Sequence, residues 1–451
     1  MMKRKITITS LAILLGSMSL FAQTNETKYR RSSMTMVLIE DEGLGEYKDQ
    51  IVNAYEANPF PDKYNSHLIA DKKFDASSMT LTDEDLIMSG FLTDTLKTPF
   101  AMIKAVAKLQ TLRYVAVDSS VAVIMPNKRE RLQASLDKYI REKGLARQMV
   151  STWFNRKEDG SMDWELIKER GLYSASAEDN EDAETSADKS NLLFDFDLIG
   201  NTFVVFNKMQ FFENEPVVAI IRDQAKIEAM KKLAGKPEIL ITKAMAAIDT
   251  LYERTKEGYT VKCNTFLYTL RWNKTVADGM MNSYFNNETN VIANWDTDTL
   301  MKLDFIGKTL SSSIVTFKIG ETRTQEEIIN LQVRRTMDNA LAKLQKENVV
   351  FRPVAPITST QPLTAKIGMK DGLEPGTKFE ILESYKNELG LTEWKSVGKV
   401  SVDKKIPVWD NRQGAEPQLD EAGLPIVSPE FTTFKGGKKA TVGINFIRQL
   451  K

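Results

Sequence analysis

Histidine and cysteine are each used once in 451 residues, as His67 and Cys263. A structural zinc site needs about four Cys or His ligands and a catalytic one usually three protein ligands. One of each leaves neither without carboxylates taking over. A Ser-His-Asp triad would have to use His67, which stands in Tyr64-Asn65-Ser66-His67-Leu68, and no serine carries an elbow motif. A lone cysteine also excludes an internal disulfide. It lies in the strand-like run Tyr259–Tyr268, which suits a buried inert thiol. Charge of one sign is lacking too: 61 Lys+Arg balance 61 Asp+Glu, so the broad basic field of a nucleic-acid binder is missing. No Walker lysine motif occurs. Gly43-Leu44-Gly45 lacks the third glycine of a dinucleotide loop, and Glu40, Asp41 and Glu42 would repel a pyrophosphate, so it reads as a tight turn.

What is present begins with an address. Lys3, Arg4 and Lys5 precede an apolar stretch from Ile6 to Phe21, and Ala22-Gln23 offers a small residue for cleavage. This is the three-part pattern of a secretory signal peptide over residues 1–22. The stretch is too short and interrupted for an anchor, and no later one is long and apolar enough to span a bilayer. The mature chain is therefore expected beyond the cytosol, without an integral membrane span.

The apolar fraction of 42% fits a globular chain with sizeable cores, and length alone suggests roughly three domains. The pattern predicts an α+β multidomain protein: two α/β domains, 23–173 and 191–350, followed by a small all-β barrel or sandwich at 351–451. Residues 174–190 between the first two hold six acids among Ser and Ala without apolar periodicity, and read as an acidic linker or loop. Helices are predicted over Glu46–Ala57, over Asp83–Phe91 behind the cap Thr82, and from Thr98-Pro99 onward. Asn127 and Glu130 open another with Leu132, Leu136 and Ile140 on its face, and Gly144 stops it. Thr202–Phe206, Met209–Phe212, Leu303–Phe305 and Ser313–Phe317 read as strands, and Tyr259–Trp272 as a long one. Pro216 and Pro237 mark helix starts, and Leu240, Ala244, Ile248 and Leu251 follow helical spacing. The best helix opens with the capping box Thr324/Glu327 and carries Ile329, Val333, Met337, Leu341 and Leu344; it should cross a sheet or bridge to the third part. Beyond Phe351, helical periodicity ends. Asp371-Gly372 and Pro375-Gly376 mark turns, Phe379/Ile381 alternate, and so do Ala440, Val442, Ile444 and Phe446.

Carboxylates are plentiful. The pairs Asp195/Asp197 and Asp296/Asp298 are the candidates for acid–base chemistry, with solvated acids and an Asx turn as the plainer readings. The tryptophans Trp153, Trp164, Trp272, Trp295, Trp394 and Trp409 are scattered, and at least half are expected in cores.

The Leu20-Phe21-Ala22-Gln23 junction resembles the signal-peptide ends of envelope proteins from Bacteroidota. The stretches 146–154, 167–173 and 200–205 resemble an uncharacterised secreted family of that group. Ile367–Ile381 is similar to the small β modules that close some bacterial secretion and flagellar-assembly proteins. These resemblances imply an envelope location and bring no catalytic residue. The expectation is a non-enzymatic envelope binding or assembly protein with protein partners, no nucleic acid, no cofactor, no metal and no catalytic residue assigned. The alternative is a carboxylate-dependent hydrolase acting on envelope glycans.

Overall fold

In a computed structural model, the described residues are 32–61, 63–66, 69, 71–91, 98–99, 113–116, 121–125, 128–163, 166, 199–286, 291–292, 295–297, 299–316, 323–386, 392–413 and 430–450. His67, Asp195, Asp197, Asp298, Trp164, the leader and the acidic segment 174–190 lie outside them.

The chain runs β1 (Ser33–Glu40), α1 (Lys48–Glu56), β2 (Asn65–Ser66), β3 (Lys73–Asp75), α2 (Asp83–Met88), β4 (Thr98–Pro99), β5 (Arg113–Ala116), β6 (Val121–Met125), α3 (Lys128–Glu142) and α4 (Leu145–Trp153). It continues with β7 (Thr202–Glu213), α5 (Asn214–Lys232), α6 (Glu238–Thr255), β8 (Gly258–Leu270), α7 (Lys274–Tyr284), β9 (Phe285–Asn286), β10 (Val291–Ile292), β11 (Leu303–Thr316) and α8 (Gln325–Glu347). The last elements are β12 (Ala355–Thr360), β13 (Leu363–Ala365), β14 (Lys378–Lys386), β15 (Thr392–Val402), β16 (Thr432–Gly436) and β17 (Asn445–Gln449). Helices and sheets are thus mixed, as an α+β class requires.

The principal sheet has the order β11-β8-β7-β1-β2, with β3 also paired to β1. β1 runs parallel to β7, and β7, β8 and β11 alternate antiparallel. Both faces are covered at its centre, so the strands read as near-continuous apolar runs, Val204-Val205-Phe206 among them. One face buries Leu38, Met209, Val261, Cys263 and Val315 against α1 and α8. The other buries Val37, Ile39, Val204, Phe206 and Phe266 against Leu136, Tyr139 and Met149 of α3 and α4.

This sheet corrects the division into two α/β domains. β1 comes from the first predicted domain and lies hydrogen-bonded beside β7 of the second. Residues on either side of the acidic segment therefore share one sheet and its cores. The physical reason is that β1 has apolar side chains on both faces and so needs two covering layers and neighbours on both edges.

Local signals otherwise hold closely. The Thr324/Glu327 capping box forms, and Thr82, read as a cap, closes a box with Asp85; Asn127 lies outside the described residues. Gly144 takes φ +60° between α3 and α4. Thr98-Pro99 is a different case. It pairs as a short edge strand with Ala122 and Val121, where an edge tolerates proline's missing N–H; the residues that would carry the expected helix lie outside the described ones.

α3 is fastened to the chain before it by charge. Asp85 accepts from Lys138 Nζ at 2.8 Å and from Arg141 Nη2 at 2.7 Å, and also closes the α2 capping box. The Lys138 ammonium and the Thr82 amide hold its carboxyl well below the usual carboxylate range. A depressed folded-state pKa means the contribution is complete above the unfolded value of about 4 and is lost as pH falls below it. The Asp85→Asn protein should therefore be less stable than wild type at pH 7, and the gap should narrow progressively as pH falls from about 4 toward 2. Chemical denaturation across that range measures it; a gap independent of pH would contradict the assignment.

Six strands, β12-β13-β16-β15-β14-β17, close into a barrel. Phe379 and Ile381 point inward as the alternation predicts. In β17 the phase is shifted by one residue: Asn445, Ile447 and Gln449 are buried, whereas Val442 is exposed. Gly443, at φ +88°, turns the chain just before the strand and resets its phase.

α8 does both things its pattern allowed. It lies across β8 and β11, and its C-terminal half reaches the barrel. Asp338 accepts from the Gln413 amide at 2.8 Å, and Lys63 pairs with Asp371 in the segment leading into β14. Arg352, just beyond α8, donates to Gln345 O, Lys346 O and the Gln449 O of β17 at 2.8–3.0 Å.

Candidate functional site

The sequence's chemical candidates are not assembled into a reactive centre. Cys263 is fully buried beside Asn207 and Thr265, and burial pushes its thiol up to about 12, so it is protonated and inert at neutral pH. Asp296 sits in a single 3-10 turn, Trp295–Thr297. Gly43-Leu44-Gly45 is a turn whose first amide is capped by Asp41, with Gly45 at φ +60°. Among the described residues no three His, Cys, Asp or Glu side chains are grouped so as to hold a metal ion. Trp153, Trp272 and Trp295 are buried core residues.

One cleft of about 320 Å³ opens where β7 begins and β8 ends, lined by Gly200, Asn201, Arg271, Trp272 and Asp304 among others. Asp304 is the one carboxylate in its lining, and Arg271 grips it, with Nε at 2.8 Å. Glycoside hydrolysis needs two carboxyls about 5–10 Å apart, one of them free to carry a proton. This lining supplies one, already engaged. Elsewhere, burial raises the carboxyl of Asp137, which accepts from Tyr268 Oη at 2.7 Å. That pair joins α3 to β8 across the core and is accounted for as a structural contact.

The conspicuous surface feature is the hairpin of α5 and α6, inserted between neighbouring strands β7 and β8. Its base is rigidly set. Asn214 is fully buried, donates to Val315 O at 3.1 Å and accepts from Thr260 Oγ1 at 2.7 Å. Gly258 returns the chain at φ +118°, and a Cβ there would lie 2.1 Å from Val315 O, so only glycine fits. Beyond this base, α5 buries only Val218 and α6 buries nothing. The two helices pack on each other, and Ala219, Ala225 and Ala229 of α5 and Ile241, Met245 and Ile248 of α6 are half-buried. Lys226 pairs with Asp249 at 2.5 Å, Arg222 lies over the Tyr252 ring at 4.4 Å, and Tyr252 donates to Glu215 at 2.9 Å.

Large apolar side chains remain outside that seam. Ile220 is 61% exposed, Ile227 56%, Met230 60%, Ile239 64% and Leu251 62%. Single exposed apolar residues are ordinary, but a run of them along both helices of one hairpin marks an interaction surface. Helical spacing predicts Leu240, Ala244, Ile248 and Leu251 as one stripe. In the structure Ile248 turns toward α5 while Leu240 and Leu251 face outward. Two overlapping three-four spacings in α6 were the available signal, since one helix needs only one such stripe to pack once.

Among the described residues no helix is long and apolar enough to cross a membrane. No protein-family pattern matches the chain, and no curated protein is similar to it.

Proposed function

We propose that this is a non-enzymatic cell-envelope binding and assembly protein, exported through the 1–22 leader. Its α5–α6 hairpin is the docking element, and its barrel is a separate C-terminal β domain of the kind that closes bacterial secretion and flagellar-assembly proteins. The observation that carries the reading is the hairpin: two helices of 19 and 18 residues held at a fixed base, with large apolar side chains turned to solvent. Surface of that kind lowers free energy only when another apolar surface covers it. The basic leader, the balanced charge and the short supply of nucleophiles and metal ligands agree with a role by contact.

A photo-crosslinking residue at Ile239, used in intact cells, tests this. The expected result is a protein adduct, self or other, in the envelope fraction on a chain whose N-terminus is Gln23. An unprocessed cytosolic chain, or no protein adduct, would overturn the reading.

A further inference from the structure

β11 ends the principal sheet, and among the described residues it pairs only with β8. Its other edge runs for fourteen residues, Leu303–Thr316. A strand edge of that length is a template for another strand unless something blocks it. One carbonyl shows which groups face that edge. Val315 O is directed toward β8: it accepts from Asn214 Nδ2 at 3.1 Å, and a Cβ on Gly258, the first residue of β8, would lie 2.1 Å from it. Backbone groups alternate sides along a strand, so the amides and carbonyls of Leu310, Ser312 and Ile314 face away from β8.

Two of those three carbonyls are held by α8. Lys343 Nζ donates to Leu310 O at 2.6 Å, and Asn339 Nδ2 donates to Ser312 O at 3.4 Å. The two residues stand four apart, so both lie on one flank of α8, the flank over the edge. A strand added there needs the same carbonyls and must displace both side chains.

The edge also fits a second copy of itself. With a two-fold axis through Ser312, two antiparallel β11 strands set Leu310 opposite Ile314, Ser312 opposite Ser312 and Lys308 opposite Thr316. Leu310 and Ile314 are each 47% exposed, so the match covers two apolar pairs and opposes no like charges. On the alternate face, toward α8, Ser311 comes opposite Ser313. Ser311 Oγ is buried without a hydrogen-bond partner in one copy, and a cross-strand serine pair supplies one.

We infer that β11 is a self-pairing edge held closed by Lys343 and Asn339. These side chains keep the β11 of a second copy from adding to the sheet, and their withdrawal lets two copies join through one continuous sheet. The junction is separate from the α5–α6 hairpin, so its failure would leave the proposed function standing.

Ser312→Cys tests the junction in the purified protein, because Cys263 is fully buried and does not compete for a thiol reagent. On the two-fold axis the two introduced thiols come within reach of a short bis-maleimide, their Cα atoms about 5.5 Å apart. Lys308→Cys is the register control, since the same pairing separates its two copies by eight residue steps, roughly 27 Å. In the Lys343→Ala/Asn339→Ala background, Ser312→Cys should form covalent dimer at least tenfold faster than with both side chains present, and Lys308→Cys should show no gain. Lys343→Met keeps the stem and loses the donor. It repeats the measurement should the double variant lose its circular dichroism, and faster dimer at Ser312→Cys is expected there too. Equal rates with and without the α8 donors, or dimer formed equally at positions 308 and 312, would overturn the inference.

Discussion

Trp153→Ala is expected to destabilise the sheet-bearing body by about 3–5 kcal/mol, the range for deleting a fully buried aromatic side chain. Trp153 ends α4, is 0% exposed and packs in a cluster with Trp272, Val276 and Met301. Its indole N–H donates to Thr202 Oγ1 at 2.8 Å, the first residue of β7. Truncation leaves a cavity and deprives the Thr202 hydroxyl of this partner. Trp153→Phe should cost less, because most of the volume stays. The residue also decides an architectural question. It comes from before the acidic segment and anchors in elements after it, so urea unfolding of the whole chain should shift one transition covering residues 33–163 and 199–351. Loss of structure in 33–163 alone, with β7 and β8 still protected from amide exchange, would contradict a shared core.

Arg352→Met should loosen the barrel by about 3 kcal/mol, given that hydrogen bonds to a charged group are worth about 1.5–3 kcal/mol. Arg352 is 8% exposed, and its guanidinium donates to three carbonyls, two in the last turn of α8 and one on β17. A cation at a helix C-terminus is favoured by the helix dipole, and the two α8 carbonyls have no partner within the helix. Methionine keeps length and apolar contact but supplies no donor. Hydrogen exchange should therefore accelerate across residues 355–449 while the β7 and β8 amides change little. Unaltered exchange in β17 would show that Arg352 does not hold the barrel to the helix.

Local structure was legible where the signal is carried by adjacent residues. Thr82, Thr324 and Glu327 announce helix starts because capping is settled within three or four residues. Gly372 and Gly376 mark turns for the same reason, both taking positive φ. Signals failed where a distant partner decides. Leu303–Phe305 and Ser313–Phe317 read as two strands because Gly307 and two serines, Ser311 and Ser312, lie between them. The ladder with β8 carries pairing from Leu303 to Thr316 regardless, with a bulge at Phe305/Gly307.

The candidate site was hidden in the same way. Its residues are common ones, isoleucine, leucine, methionine and alanine, and helical spacing alone cannot say whether an apolar stripe is covered. Only the fixed base at Asn214 and Gly258, which holds the hairpin with almost nothing beneath it, separates an outward stripe from a core one. The sequence by itself determined the inventory: one thiol, one imidazole, balanced charge, helix caps and turn glycines, all properties of residue type or near neighbours. The tertiary structure alone decided that one sheet unites both sides of the acidic segment and which apolar faces meet solvent. Those outcomes depend on contacts between residues more than a hundred positions apart, such as Ser33 with Thr202, and burial is a property of the assembled surface, not of any side chain taken alone.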